Sequence, residues 1–290
     1  MKKDDPIVLY KYFPGAGPMW EQKLKWFCEQ RVLVTPPMYL NDPSEMYYCQ
    51  EPMTADDCRE GLMGAATDIE RRAIVEKFRI EQAIKGQVDP AFEATRKQAM
   101  VSAEVGVLSL TEKPLSRVMW SHYADGHTGY VAGFKHKYFG QMENDNVTYE
   151  VACGPFGMAF KVEYRDPLPA MPHNSKNAVR VFCTKHSDWS HETEWRVMGY
   201  FDRRKINGLV SLSCMPLYIE EVSHEDGNTY FQLAFRPEEL KCILLGARSQ
   251  SNLADRLKAF LGKAPSCDVK IQKVKYDPRS RDIAINGYYL

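Results

Sequence analysis

The order of periodic segments constrains this chain most. Helix-forming stretches are concentrated in its first third and strand-forming stretches dominate the rest, with no regular strand–helix–strand alternation. Parallel strands need a crossover, usually a helix, between them, so this order predicts an α+β fold with a mixed, mostly antiparallel sheet. Residues 7–13 are β-branched and aromatic apart from Lys11 and end at Pro14-Gly15, the pattern of a first strand. Trp20, Leu24 and Phe27 then recur at helical spacing, and residues 31–34 read as a short strand. A Thr54-x-x-Asp57 capping box opens a helix running to about residue 84, and Asp89-Pro90 opens a second to about 104. Strands are predicted at 106–112, 130–134, 158–164, 194–201, 217–222, 229–235, 243–246 and 269–276, with one amphipathic helix at 252–261.

No internal repeat, low-complexity tract or linker divides the sequence, which predicts a single domain over 1–290. The charged helices at about 54–104 read as an inserted hairpin. Hydrophobic residues make up 44% of the chain, enough to bury a core and to exclude wholesale disorder. Lys plus Arg equal Asp plus Glu at 38 each, which argues against a broadly basic nucleic-acid surface. Two short basic runs, Arg203-Arg-Lys205 and Arg279-Ser-Arg281, are the local exceptions. The N-terminus lacks a secretory apolar core, and no segment approaches the ~20 apolar residues of a membrane span. Eight scattered cysteines without a C-x-x-C pair read as reduced thiols, so a cytoplasmic protein without a membrane partner is expected.

Phosphate-loop, dinucleotide-fingerprint, zincin and nucleophile-elbow motifs are missing. Four polar islands remain. Lys11, between Tyr10 and Tyr12, is either an edge-strand lysine reaching water or a cation placed to hold a phosphate or ribose hydroxyl beside a tyrosine ring. Asn41, Asp42 and Glu45 form a turn around Pro43. The third island joins a strand on which Ser109 and Thr111 share a face to the cluster from Met119 to Tyr130. In that cluster Trp120, His122 and Tyr123 serve either to tether the core or to touch a ligand. His122 and His127 are five apart, not the four of a helical metal pair, so no metal site is expected. In the fourth, a strand beginning by Glu192 puts Glu192 and Glu194 on one face. There they either raise each other's pKa for general-base work or form ion pairs with Lys185 or Arg196.

Leu9-Tyr-Lys-Tyr12, Leu40-Asn-Asp-Pro-Ser-Glu45, Leu108-Ser-Leu-Thr-Glu112, Met119-Trp-Ser-His-Tyr-Ala-Asp-Gly-His127, Glu192-Thr-Glu-Trp-Arg196 and Ile243-Leu-Leu-Gly246 resemble, in order and spacing, a bacterial and phage family catalogued only as a domain of unknown function. The layout is also similar to that of ADP-ribosyltransferases, which carry an Arg or His on a first strand, a Ser-x-Ser/Thr strand, and a late Glu or Glu-x-Glu. The resemblance implies a split sheet clasping NAD as substrate, with no metal, in a toxin or anti-phage effector that modifies a protein or nucleic-acid acceptor or hydrolyses NAD. Residue by residue, it implies that Glu194 stabilises the oxocarbenium-like ribose and that Glu192 orients or deprotonates the acceptor. Ser109 and Thr111 would position the ribose, Lys11 with Tyr12 would hold the phosphate or adenine-side ribose, and Tyr123, with Trp120 and His122 nearby, would stack on nicotinamide. A lysine stands where those transferases use arginine or histidine, and its point charge cannot reproduce their planar hydrogen bonding. A catalytically inactive nucleotide- or protein-binding module of the same fold is the alternative.

Overall fold

A computed structural model describes residues 2–17, 19–42, 53–84, 105–144, 147–166, 178–200, 219–223, 229–262, 269–277, 279–280 and 282–285. The chain opens with β1 (Pro6–Phe13), α1 (Trp20–Cys28) and β2 (Arg31–Val34). Leu24 and Phe27 turn into the core from α1. The predicted long helix is broken into α2 (Ala55–Gly64) and α3 (Asp68–Ile84). The expected Thr54–Asp57 capping box starts α2. The break was written in a second one: the Thr67 hydroxyl accepts from the Glu70 N–H at 3.2 Å, while the Glu70 carboxylate takes the Thr67 N–H at 2.9 Å. The helix expected at 89–104 lies outside the described residues.

Next come β3 (Val105–Thr111), α4 (Arg117–Tyr123), β4 (Tyr130–Asn144), β5 (Val147–Gly154), β6 (Gly157–Lys161), β7 (Glu163–Arg165), α5 (Ala178–Phe182), β8 (Thr184–His186) and β9 (Glu194–Tyr200). The chain ends with β10 (Glu220–Ser223), β11 (Thr229–Ala234), β12 (Leu240–Leu245), α6 (Ser251–Leu261), β13 (Lys270–Lys273), β14 (Lys275–Tyr276) and β15 (Ile283–Ala284). The helices α4 and α5 and the strands β5, β8 and β15 were not expected, and β4 exceeds its expected bounds. β4 continues ten residues past Phe134, because Lys135, Lys137 and Phe139 face solvent while His136 and Tyr138 are buried, an alternation that hides the strand from an apolar-run criterion. β5 pairs with this extension across a bulge at Tyr138/Gly140, where Gly140 takes φ 109°.

The strands are mostly antiparallel, as expected, with parallel pairs at β12–β13, joined by α6, and β7–β8. The main sheet runs β1-β3-β9-β6-β5-β4-β12-β13, and the extra β1–β4 pairing closes its first six strands into a barrel. The closure is uneven. β1 pairs with β4 from Pro6↔Lys137 to Phe13↔Tyr130, but with β3 only at Tyr10↔Thr111. Past that pair the two strands part, leaving Lys11 to Phe13 opposite a gap from Leu108 to Leu110. Leu9, Phe13, Phe134 and Val197 pack with Phe27 of α1 and Leu257 of α6 in the main core. Val107, Val151, Phe160 and Met198 pack with Phe182 of α5 in a second cluster. The five described cysteines are free thiols, and no described helix is long and apolar enough to cross a membrane.

The β1–β4 pairing is locked where the two strands enter their turns. A Cβ on Gly129 would lie 1.9 Å from the Phe13 carbonyl oxygen and 2.9 Å from the Pro14 carbonyl carbon. Backbone cannot yield as a side-chain tip can, so Gly129→Ala is expected to cost at least about 2 kcal/mol in urea unfolding. Unfolding as late as the parent protein would show that this contact is not what closes the barrel end.

Candidate functional site

The gap between β1 and β3 opens into a cavity of about 370 Å³, floored by the strand ends and walled by α1, β2 and α4. Lys11, Tyr12, Ser109, Thr111, His122, Tyr123, Glu192 and Glu194 all line it. Of the residues the sequence singled out for catalysis or ligand contact, Trp120 alone is placed elsewhere. It is fully buried, its indole N–H donates to the Pro114 carbonyl at 2.9 Å, and its ring meets Tyr12 edge-on at 5.4 Å. It is a core tether, because the one polar group that could recognise a ligand is already used. His122 is exposed at the cavity mouth.

The strand expected at 194–201 is present, but it does not reach back to Glu192. β9 starts at Glu194, and Glu192 closes a turn of 3-10 helix, Ser187–Glu192. Thr193 between them adopts the left-handed region, φ 44° and ψ 54°, an uncommon conformation for a β-branched residue. That twist, and not strand alternation, brings both carboxylates to one ammonium. Lys185 Nζ lies 2.8 Å from Glu192 Oε2 and 3.3 Å from Glu194 Oε2. Arg196, two residues along β9 and so on the same face, grips Glu194 with two bonds, Nε to Oε1 at 2.8 Å and a terminal N–H to Oε2 at 2.9 Å. Its other terminal nitrogen donates to the Phe182 carbonyl at 2.7 Å. All four charged groups are buried.

The turn is stapled to its surroundings. Thr111 Oγ1 donates to the Glu192 carbonyl at 2.5 Å and accepts from the Lys113 N–H at 3.0 Å. The Tyr164 hydroxyl accepts from the Glu194 N–H at 2.8 Å. Thr111 therefore holds the turn and has no hydroxyl proton left for a sugar. Tyr123 donates to Glu192 Oε1, and the Asn41 amide donates to the Tyr123 hydroxyl at 2.9 Å. Asn41 thus joins the site, which its turn sequence did not disclose. Asp42 is buried nearby in the chain, and Glu45 lies outside the described residues.

Burial by itself would raise the Glu194 carboxyl. The charges of Arg196 and Lys185, with hydrogen bonds from Arg196 and the Ser109 hydroxyl, instead hold it below the ordinary carboxylate range. Mutual elevation of the two carboxylates is therefore not what happens at Glu194. It stays ionised, which suits it to stabilising positive charge and not to taking protons. Tyr123 is raised, first by burial and then by Glu192. At the other end, burial pushes Lys11 down to about 8, Lys23 of α1 adds to that shift, and Glu194 opposes it. Lys23 is lowered by burial too. Among the described residues no group of three or more His, Cys, Asp or Glu is arranged to hold a metal. Residues 203–205 and Arg281, the basic runs, lie outside the described residues except for Arg279.

Two outcomes follow from these charges. Arg196→Met leaves buried Glu194 with Lys185 as its one charged partner among the described residues, and is expected to cost about 3–5 kcal/mol in urea unfolding; a loss under about 1 kcal/mol would mean that the pair is dispensable. Unfolded lysine keeps its proton up to about 10.5, while folded Lys11 releases it near 8. The unfolded chain thus binds more protons across that window, and stability gains with rising pH. The parent protein should gain on Lys11→Met between pH 8 and 10 in thermal unfolding; a constant difference would contradict the shift.

Residues 119–197, from α4 through β9, match the sequence model of a family described as a protein of unknown function, DUF2971. The match spans Tyr123, Lys185, Glu192, Glu194 and Arg196. No curated protein and no solved structure matches the chain.

Proposed function

We propose that the chain is an ADP-ribosyltransferase-like enzyme that cleaves the nicotinamide–ribose bond of NAD. The observation that carries this reading is that Lys11, Ser109 and Glu194, distant in sequence, line one cavity at the parted β1/β3 seam, with the Ser109 hydroxyl on the Glu194 carboxylate. In the reaction, the bond between the ribose anomeric carbon and the nicotinamide nitrogen breaks and its electron pair leaves with nicotinamide. The sugar becomes oxocarbenium-like, and the Glu194 carboxylate, kept anionic by its neighbours, stabilises that charge while accepting from the 2′-hydroxyl. Water or an acceptor on a protein or nucleic acid attacks the anomeric carbon and gives up its proton to Glu192. Tyr123, half-buried in the cavity wall, offers its ring to the nicotinamide. Such an activity, loose in a cell, fits a toxin or an anti-phage effector.

A second reading, a nucleotide-binding module without turnover, has one observation in its favour: Arg196 already engages both Glu194 oxygens, so a ribose hydroxyl would have to share one. Incubation with nicotinamide-labelled NAD, alone and with cell lysate, separates the two. The enzyme reading expects release of nicotinamide, abolished in Glu194→Gln. It also expects release to slow roughly ten- to hundredfold in Ser109→Ala, which removes one hydrogen bond to a charge without orphaning Arg196. No release under either condition overturns it. Stabilisation by NAD in thermal unfolding that survives Ser109→Ala, without release, assigns the site to binding alone.

A further inference from the structure

Lys23 lines the cavity although its pattern in α1 gave no hint of it. Leu24 and Phe27 anchor the helix in the core, while Lys23 and Trp26, three residues apart and so on one helical face, turn to the cavity. The cavity wall carries four basic residues, Lys11, Lys23, Arg31 and Lys185, against two acidic ones, Glu192 and Glu194. The acidic pair is already matched by Lys185 and Arg196. Lys11 and Lys23, both half-buried, make no hydrogen bond or ion pair with any described residue. Two partly desolvated ammoniums within electrostatic reach of each other repel, and each forfeits water without an acceptor among the described residues in return.

We propose that Lys11 on β1 and Lys23 on α1 form a two-cation cradle for a diphosphate, so that the ligand is a dinucleotide or nucleoside diphosphate held by its phosphates. This rests on the nucleotide reading of the cavity and adds to it a second anchoring residue and a charge requirement. Two point charges on separate elements suit an extended anion with charge on each of two phosphoryl groups. The base and sugar are left to the aromatic and carboxylate walls. The cradle also explains how a lysine can stand at the first-strand position: a second lysine supplies the directions of approach that one ammonium lacks.

Calorimetric titration of the full chain at pH 7 with pyrophosphate, ADP and adenosine tests it. Pyrophosphate and ADP are expected to bind, adenosine at least tenfold more weakly than ADP. Lys23→Gln should weaken pyrophosphate about tenfold or more, while its thermal midpoint without ligand stays level or rises, since an unpaired cation has been removed. Lys23→Arg should recover part of the affinity. Adenosine binding as tightly as ADP, no pyrophosphate binding, or equal pyrophosphate affinity in Lys23→Gln overturns the cradle. Nicotinamide release is read separately. Lys23-dependent pyrophosphate binding without release keeps the cradle and removes the enzyme, whereas release with a KM for NAD unchanged in Lys23→Gln keeps the enzyme and removes the cradle.

Discussion

The ion pairs that join Lys185 and Arg196 to Glu192 and Glu194 are the interaction on which the site depends. Burying four charges is expensive, and their attraction offsets the loss of water only because nearly every lone pair and proton has a partner: two carboxylates, one ammonium, one guanidinium, a serine hydroxyl and a backbone carbonyl. Apolar residues of similar volume often hold a fold together as well as a buried charged set does. What the charged set adds is a fixed anion at the mouth of a gap in the sheet. It also joins β9 to β8 and to the end of α5, so the second hydrophobic cluster and the cavity floor share one support.

The rest of the cavity follows from where the sheet fails to pair. β3 is bound to β9 along its whole length, and β1 to β4 along its whole length, but at the β1/β3 seam the two touch at one residue pair. α1 and β2 cover the resulting gap and bring Lys23, Trp26 and Arg31 to it. Charge is thereby sorted along the opening, with the ion-paired Glu192 and Glu194 at the β9 end and the ammoniums of Lys11 and Lys23 toward α1. The dinucleotide proposed as the ligand, with an anionic middle and a sugar to be polarised, would lie along that ordering.

Much of this was legible in the residues. Strand patterning located β1, β3 and β9, and the polar interruptions of those strands picked out Lys11, Ser109, Glu192 and Glu194, which line one cavity. What the sequence concealed was mostly due to tertiary context. The extension of β4 alternates between solvent and core, and its exposed lysines dilute the apolar signal, while in β5 Thr148 and Glu150 interrupt the buried residues. The two glutamates were expected to meet through strand periodicity, yet they meet through the left-handed Thr193, and no residue type there announces such a turn. Trp120 stayed open between core tether and ligand contact, because an indole beside a histidine and a tyrosine is ambiguous until its N–H partner is known. Lys23 and Asn41 could be recognised only once α1 and residues 39–41 were laid against the gap.

The single pair at the β1/β3 seam has a consequence for cooperativity. A closed barrel has no edge strand, and in topology this one has none. In hydrogen-bond terms, however, β1 belongs to the β4 unit, and its other side is nearly as bare as a sheet edge. Amide exchange should sort the strands accordingly, with β3 and β9 protected as one block and β1 opening with β4 or from β3 at little cost. The ring of strands is therefore closer to a clasp held by one catch than to a continuous wall, and its catch lies beside the cavity.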